Sequence, residues 1–100
     1  MIRKVTFEEA NDLLSARPDI TLVDEREEPE YLTGHALDAV LLPVDEITEE
    51  SADEVIGGGP VMVYCRTGRR SREAARKLEE LGYQEIYDIG GLVGWPYGLV

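Results

Sequence analysis

Short apolar segments alternate with helical segments along this chain, and this alternation restricts the fold more than any other feature of the sequence. The strand-like segments cover residues 20–24, 40–42, 60–64 and 85–89. The helical patterns cover residues 7–16, 27–33 and 71–81, with a weaker pattern over 45–55. Strands that alternate with helices predict a parallel α/β sheet. In such sheets, ligands bind beyond the carboxyl ends of the strands.

Several of the predicted helices begin or end at recognisable signals. Thr6 and Glu9 have the spacing of a capping box, which predicts that the first helix begins at residue 7. Pro29 suits the first turn of the second helix, and Gly34 suits its end. Ser71 is expected to be the N-cap of the helix over 71–81 and to close the loop before it with its hydroxyl group. The run 57–60 is read as a turn, because too few residues flank it for two domains.

The size and charge of the chain exclude several classes of protein. One hundred residues predict one domain, residues 1–100, and 43% apolar residues predict a globular fold. The net charge of −11 argues against nucleic acid as a partner, because phosphates require a basic surface. No apolar run approaches the roughly 20 residues of a membrane span, so no membrane association is expected. The first residues lack the apolar core of a secretory signal, and a cytoplasmic location is expected.

Cys65 is the only cysteine in the chain. A single cysteine excludes an internal disulfide and a Cys-x-x-Cys redox pair, and a single histidine argues against a Cys/His zinc site. Cys65 is therefore a candidate nucleophile.

A basic loop follows this cysteine at the predicted junction between a strand and a helix. Residues 65–77 contain six basic side chains and one acid, a net charge of +5 within a chain of −11. Positive charge is unfavourable at the beginning of a helix, and such exceptions are typical of functional sites. Backbone N–H groups at a helix N-terminus attract anions and would stabilise a thiolate. The loop is therefore predicted to hold a reactive thiolate and an anionic substrate.

The order of several short motifs resembles the rhodanese family of sulfurtransferases. The run Cys65-Arg66-Thr67-Gly68-Arg69-Arg70-Ser71 resembles the active-site loop of that family. Upstream, the segments at 22–27, 30–35 and 39–43 resemble its Asp-x-Arg-Glu, Glu-Tyr-x-x-Gly-His and Gly-Ala-x-x-x-Pro motifs. Downstream, the segment at 90–95 resembles its Gly-Gly-x-x-x-Trp motif. The chain departs from the family at three scaffold positions, which are Glu25, Asp38 and Leu41.

The resemblance implies a fold and a reaction. The implied fold is a three-layer α/β domain with a central, mostly parallel, five-stranded sheet and helices on both faces. The implied activity is that of a thiosulfate sulfurtransferase, in which Cys65 takes a sulfane sulfur as a persulfide and passes it to an acceptor. The residues implied to bind the substrate are Arg66, Thr67, Gly68, Arg69, Arg70 and Ser71.

The resemblance also implies what the protein binds. The donor is expected to be a small sulfur anion, and the acceptor is expected to be cyanide, a thiol or a protein. No metal or organic cofactor is implied. A monomer or a weak homodimer is expected.

Three other functions remain open from the sequence. Cysteine phosphatases place an arginine six positions after the cysteine, where this chain has Ser71; its arginine stands one position earlier, at Arg70, which favours a smaller ligand. A Cys–His hydrolase needs His35 beside Cys65. A non-catalytic sulfur carrier or regulatory module would keep the fold without turnover.

Four residues outside the loop have two possible roles each. His35 is a candidate base, but a structural role at a helix exit is expected. Asp24 and Arg26 are candidates for substrate contact, although an acid at the end of a strand more often binds backbone amides and pairs with arginine. Trp95 either forms a wall of the site or fills the core.

Overall fold

A five-stranded sheet forms the centre of the computed structural model, which describes residues 1–100. Its strands are β1 (Ile2–Lys4), β2 (Thr21–Asp24), β3 (Val40–Leu41), β4 (Val61–Cys65) and β5 (Ile86–Gly91). Their order in the sheet is β1-β5-β4-β2-β3, and every neighbouring pair is parallel. The predicted α/β class is confirmed, and the sheet is entirely rather than mostly parallel.

Four α-helices connect the strands. They are α1 (Phe7–Ala16), α2 (Glu28–Thr33), α3 (Glu49–Val55) and α4 (Arg69–Glu80). The predicted capping box of α1 is formed, because the Thr6 hydroxyl accepts from the Glu9 N–H while the Glu9 carboxylate accepts from the Thr6 N–H. The weak helical pattern over 45–55 corresponds to a 3₁₀ turn at Val44–Glu46 followed by α3. None of the helices has the length and apolarity needed to cross a membrane.

Strand β4 lies in the middle of the sheet, and all five of its residues are buried. Met62 and Tyr64 pack into an apolar cluster that includes Ala10 of α1, whereas Val61 and Val63 pack into a second cluster with Leu78 of α4. Side chains alternate between the two faces of a strand, so one strand supplies both cores. The helices therefore cover both faces, and the domain has three layers.

Most predicted strands and helices are shifted by one or two residues at an end, and two differences at the N-terminus and at α4 change the description of the fold. The sequence predicted no strand at the N-terminus, but β1 pairs with β5 at one edge of the sheet, with Ile2 beside Ile86. The helix after the cysteine begins at Arg69 rather than at Ser71. The prediction that Ser71 is the N-cap is wrong, because Gly68 occupies that position with φ of 99° and offers no capping side chain.

Candidate active site

Cys65 is the last residue of β4, at the carboxyl end of the central strand. Its exposed fraction is 0%, and its sulfur accepts a hydrogen bond from the Gly68 N–H at 2.9 Å. Gly68 adopts a left-handed conformation that glycine alone takes readily, which turns the chain directly into α4. The loop therefore curls around the sulfur within three residues, as expected for a ligand site at the end of a parallel strand.

Most backbone N–H groups of this loop have no acceptor within the protein. The N–H of Arg72 returns to the carbonyl of Gly68, and the N–H of Gly68 is bonded to the sulfur. Five other N–H groups of the loop donate no hydrogen bond, and they belong to Arg66, Thr67, Arg69, Arg70 and Ser71. Helix N-termini leave such donors free, and with the helix dipole they favour an anion. Because Ser71 is not the N-cap, its hydroxyl does not occupy these donors and instead bonds to the Gly68 carbonyl at 3.2 Å.

Two glycines of β5 allow the loop to lie against the sheet. A Cβ atom on Gly91 would stand 2.6 Å from the carbonyl oxygen of Arg66 and 2.9 Å from the Cα of Thr67. Gly90 has φ of 87°, and a register shift between β4 and β5 brings Gly91 opposite Cys65. Only a glycine at position 91 lets the backbone of Arg66 and Thr67 lie this close to β5.

The arginine side chains of the loop have different surroundings. Arg66 and Arg69 are exposed and form no ion pair, so their charges are free to meet a ligand. Arg70 donates two hydrogen bonds to the carboxylate of Glu30 in α2, at 2.8 and 3.1 Å. Thr67 is exposed at the outer turn of the loop.

The pair of Glu30 and Arg70 connects α2 to the loop. Its hydrogen bonds lower the pKa of Glu30 to about 2. They also raise the pKa of Arg70, and the nearby Cys65 adds to that effect. The guanidinium of Arg70 therefore stabilises the loop through Glu30 while its charge remains close to the sulfur.

Asp24 has the structural role that was expected. It is fully buried at the end of β2, where it accepts hydrogen bonds from the Arg26 backbone at 2.9 Å and from the Arg26 guanidinium at 2.7 Å. The hydroxyl of Tyr64 also donates to it, at 2.6 Å, and in turn accepts from the Ala36 N–H. This network connects β2 and β4 beside the cysteine without any contact to its sulfur.

His35 does not lie against Cys65. Its ring stacks on Tyr31 with centroids 3.8 Å apart, and its Nδ1 lies 2.9 Å from the Tyr31 carbonyl oxygen. Its backbone pairs with that of Val100. The structural reading of His35 is supported, and the structure offers no histidine base for the cysteine.

Trp95 packs on the α1 side of the sheet. Its ring meets Phe7 and Tyr97 edge to face, at 5.3 and 4.9 Å. It borders a cavity of about 290 Å³ whose lining includes no residue of the cysteine loop. The tryptophan is therefore a core and rim residue rather than a wall of the site.

A smaller cavity lies at the mouth of the cysteine loop. It has a volume of about 180 Å³ and is lined by Arg26, Arg66, Leu92, Val93 and Leu99. The N–H of Leu92 donates to the Cys65 carbonyl, which places this cavity next to the cysteine. The guanidinium of Arg26 is already paired with Asp24, whereas that of Arg66 is free, and the remaining three lining residues are apolar. No group of three or more His, Cys, Asp or Glu residues is arranged to hold a metal ion.

Sequence reasoning missed the roles of two site residues. Glu30 and Gly91 both belong to motifs that were recognised, but neither was assigned a function. The signal for Gly91 was its position in a Gly-Gly pair directly after a strand. Nothing in the sequence pairs Glu30 with Arg70, which is 40 residues away.

The comparison with known families agrees with this geometry. The model of the rhodanese-like domain matches residues 6–96. The match covers most of the chain, from α1 through the cysteine loop to Trp95. The chain belongs to the rhodanese-like family of sulfurtransferases.

Individual relatives and solved structures are also similar to this chain. A thiosulfate sulfurtransferase GlpE from Coxiella burnetii is 35% identical over 98 residues, with 95% of this chain and 88% of that protein covered. Among solved structures, the rhodanese-like domain of the Anabaena protein Alr3790 has a TM-score of 0.82 at 21% identity, covering 95% of this chain and 74% of the other. A rhodanese with anions from E. coli has a TM-score of 0.71 at 32% identity, covering 81% and 96%.

Proposed function

We propose that this protein is a thiosulfate sulfurtransferase that carries sulfur as a persulfide on Cys65. The observation that carries the proposal is the set of five unbonded N–H groups in the loop that follows a buried cysteine, whose sulfur already accepts from the Gly68 N–H. These donors, with the helix dipole, favour a thiolate and an outer anionic sulfur over neutral forms. The name of the Coxiella relative supports thiosulfate as the donor.

The proposed reaction has two balanced steps. The thiolate of Cys65 attacks the outer sulfur of thiosulfate, a sulfur–sulfur bond to Cys65 forms, and sulfite leaves with the electron pair of the broken bond. The negative charge then rests on the outer sulfur, close to the loop N–H groups. A thiolate or cyanide acceptor attacks that outer sulfur next, and the Cys65 thiolate is the leaving group. Neither step requires a metal, a redox cofactor or a histidine base.

The side chains of the loop have separate roles in this proposal. The free charges of Arg66 and Arg69 attract and orient the sulfonate end of the donor. Arg70 stabilises the loop through Glu30 and adds its charge near the sulfur. The N–H groups of residues 66, 67 and 69–71 hold the transferred sulfur, and Gly68 makes the turn.

The proposed partners follow from the site. The donor is a small anion, and the acceptor is cyanide, a thiol or a protein thiol that fits the cavity at the loop mouth. A monomer or weak homodimer suffices, because the described site is built from one chain. A cytoplasmic location suits a thiol that must stay reduced.

Steady-state assays of thiocyanate formation from thiosulfate and cyanide test the proposal. We expect turnover by the wild type and none by Cys65→Ser, with negligible hydrolysis of an aryl phosphate by either protein. A persulfide that forms without turnover would favour a sulfur carrier. Efficient phosphate hydrolysis that is lost in Cys65→Ser would instead favour a cysteine phosphatase.

A further inference from the structure

Glu25 places a carboxyl group beside the cysteine. It follows the last residue of β2, and its N–H donates to the Tyr64 carbonyl at 2.9 Å, which continues the register that pairs Asp24 with Tyr64. One step further in this register sets Glu25 opposite Cys65. Side chains alternate along a strand, so Glu25 lies on the same face of the sheet as Val23, beneath α4.

The carboxyl group of Glu25 is buried and has no partner. Its exposed fraction is 0%, and neither of its oxygens accepts or donates a hydrogen bond. An ionised carboxylate in such surroundings is very unfavourable, so the neutral form prevails. The pKa of Glu25 is raised well above its ordinary value, first by burial and then by neighbouring negative charge.

The charged neighbours of Glu25 come from every element that packs against it. Those that raise its pKa are Asp24 on β2, Cys65 on β4 and Asp88 on β5. Lys77 on α4 opposes them, but its ammonium group donates to a backbone carbonyl at 3.0 Å and pairs with Glu73 at 3.6 Å rather than with Glu25. Asp24 is paired with Arg26 and Asp88 with Lys4, whereas the sulfur of Cys65 is bonded to the Gly68 N–H and to no cationic side chain.

We propose that Glu25 is a positioning residue for Cys65 whose proton keeps the space beside the thiolate uncharged, and whose ionisation sets an upper pH limit for reaction with anionic donors. Glu25 and Cys65 would form a coupled pair that carries one negative charge while Glu25 is protonated. When Glu25 releases its proton to solvent, a second charge appears in low-dielectric surroundings and repels an approaching anion. The reference to a sulfur donor rests on the proposed function, whereas the pairing with Cys65 does not.

Alkylation of Cys65 by two reagents of different charge tests this coupling. Rates with anionic iodoacetate and neutral iodoacetamide are measured from about pH 6 to 10, and their ratio reports the local potential at the sulfur. In the wild type, we expect the ratio to fall by about tenfold as Glu25 ionises. The ratio should stay nearly flat in Glu25→Gln. The matched control, Glu80→Gln, removes an exposed carboxylate of α4 without an ion pair, and it should keep the fall of the wild type.

A flat ratio in the wild type would overturn the proposal, as would the same fall in Glu25→Gln. A second measurement does not depend on the folding of that variant. The ¹³C shift of the Glu25 carboxyl is followed against pH in the wild type and in Cys65→Ser. We expect a protonated carboxyl at neutral pH and a lower titration midpoint in Cys65→Ser. An ionised carboxyl at neutral pH, or an unchanged midpoint, contradicts the proposal.

Both measurements omit a sulfur donor, so their results are independent of the proposed function. If thiosulfate is not turned over but the alkylation ratio behaves as described, the coupling stands and the proposed function fails. If turnover is found, kcat/KM for thiosulfate should decline along the same alkaline limb in the wild type and not in Glu25→Gln. If the same alkaline decline in kcat/KM persists in Glu25→Gln, ionisation of Glu25 does not set the upper pH limit.

Discussion

Two arginines of the cysteine loop differ in what their guanidinium groups contact. Arg66 is exposed at the mouth cavity with no acidic partner, while Arg70 is held by Glu30 in two hydrogen bonds. A free guanidinium can bind an incoming anion directly, whereas a paired one acts first on the loop. The two residues are therefore expected to affect different measured quantities.

Arg66→Ala should weaken recognition of thiosulfate. Loss of one charge-assisted contact is worth about 1.5–3 kcal/mol, so kcat/KM should fall roughly 10- to 150-fold, mainly through KM. Steady-state kinetics with thiosulfate measure this effect. Arg76→Ala is the control, because it removes an exposed charge of α4 outside the loop. Unchanged kinetics in Arg66→Ala would transfer the recognition to Arg69 and the backbone N–H groups.

Glu30→Gln should lower the free energy of unfolding by about 1 kcal/mol near neutral pH, because its ion pair is partly exposed. The pKa of Glu30 is about 2 in the folded protein and lies below the ordinary value of 4.5. The stabilisation is therefore complete above pH 4.5 and is lost as the pH falls toward 2.

Urea unfolding of the wild type and Glu30→Gln at several pH values measures this difference. Glu28→Gln, two residues earlier in α2 and without an ion pair, should behave as the wild type. A stability gap between wild type and Glu30→Gln that does not shrink in acid would argue against the pair.

Residue chemistry alone predicted some of these contacts and not others. An aspartate at the end of a strand, two residues before an arginine, indicated the local pair of Asp24 and Arg26, and the structure has it. The partner of Arg70 and the burial of Glu25 depend on how separate strands and helices pack together. Such long-range contacts cannot be predicted from the spacing of residues in the sequence.

At the scale of elements, the loop between β4 and α4 is shaped by β5 as well as by its own sequence. Gly91 leaves the backbone of residues 66 and 67 in contact with the strand behind it. Gly91 lies in β5, which follows α4 in the sequence and pairs with β4 in the sheet. The shape of the loop therefore depends on a residue more than twenty positions away.

Gly91→Ala should displace the loop, because its Cβ would stand 2.6 Å from the Arg66 carbonyl oxygen. We expect a loss of about 1–3 kcal/mol in the free energy of unfolding and a marked loss of sulfur transfer. Gly59→Ala is the matched control, since it meets nothing within 4 Å and needs no left-handed backbone. Thermal or urea unfolding together with thiosulfate turnover checks both variants. Wild-type behaviour of Gly91→Ala would mean that the loop does not need this close approach.

The missed strand β1 and the late predicted start of α4 have different physical causes. Strand β1 has only three residues, none of them buried, and it exists because it pairs with β5. The start of α4 was assigned to Ser71 by side-chain preference, whereas the left-handed turn at Gly68 begins the helix earlier. Local preference predicted α1 and α2 well, since their caps are formed by neighbours in sequence.

For the whole molecule, the alternation of strands and helices was sufficient to predict a parallel α/β domain. Strand order was not predictable from the residues, because the central position of β4 depends on long-range pairing. The net charge of the whole chain also differs in sign from the charge of the cysteine loop and the helix that follows it. The chain carries −11, yet residues 65–77 carry +5, and this segment begins at the buried cysteine.

We propose above that Cys65 carries the transferred sulfur as a persulfide. Intact-mass spectrometry after incubation with thiosulfate tests it most directly. We expect the wild type to gain one sulfur, about 32 Da, as a persulfide that cyanide then removes. Cys65→Ser should gain nothing under the same conditions. An unchanged mass of the wild type, or the same gain in Cys65→Ser, would contradict the account.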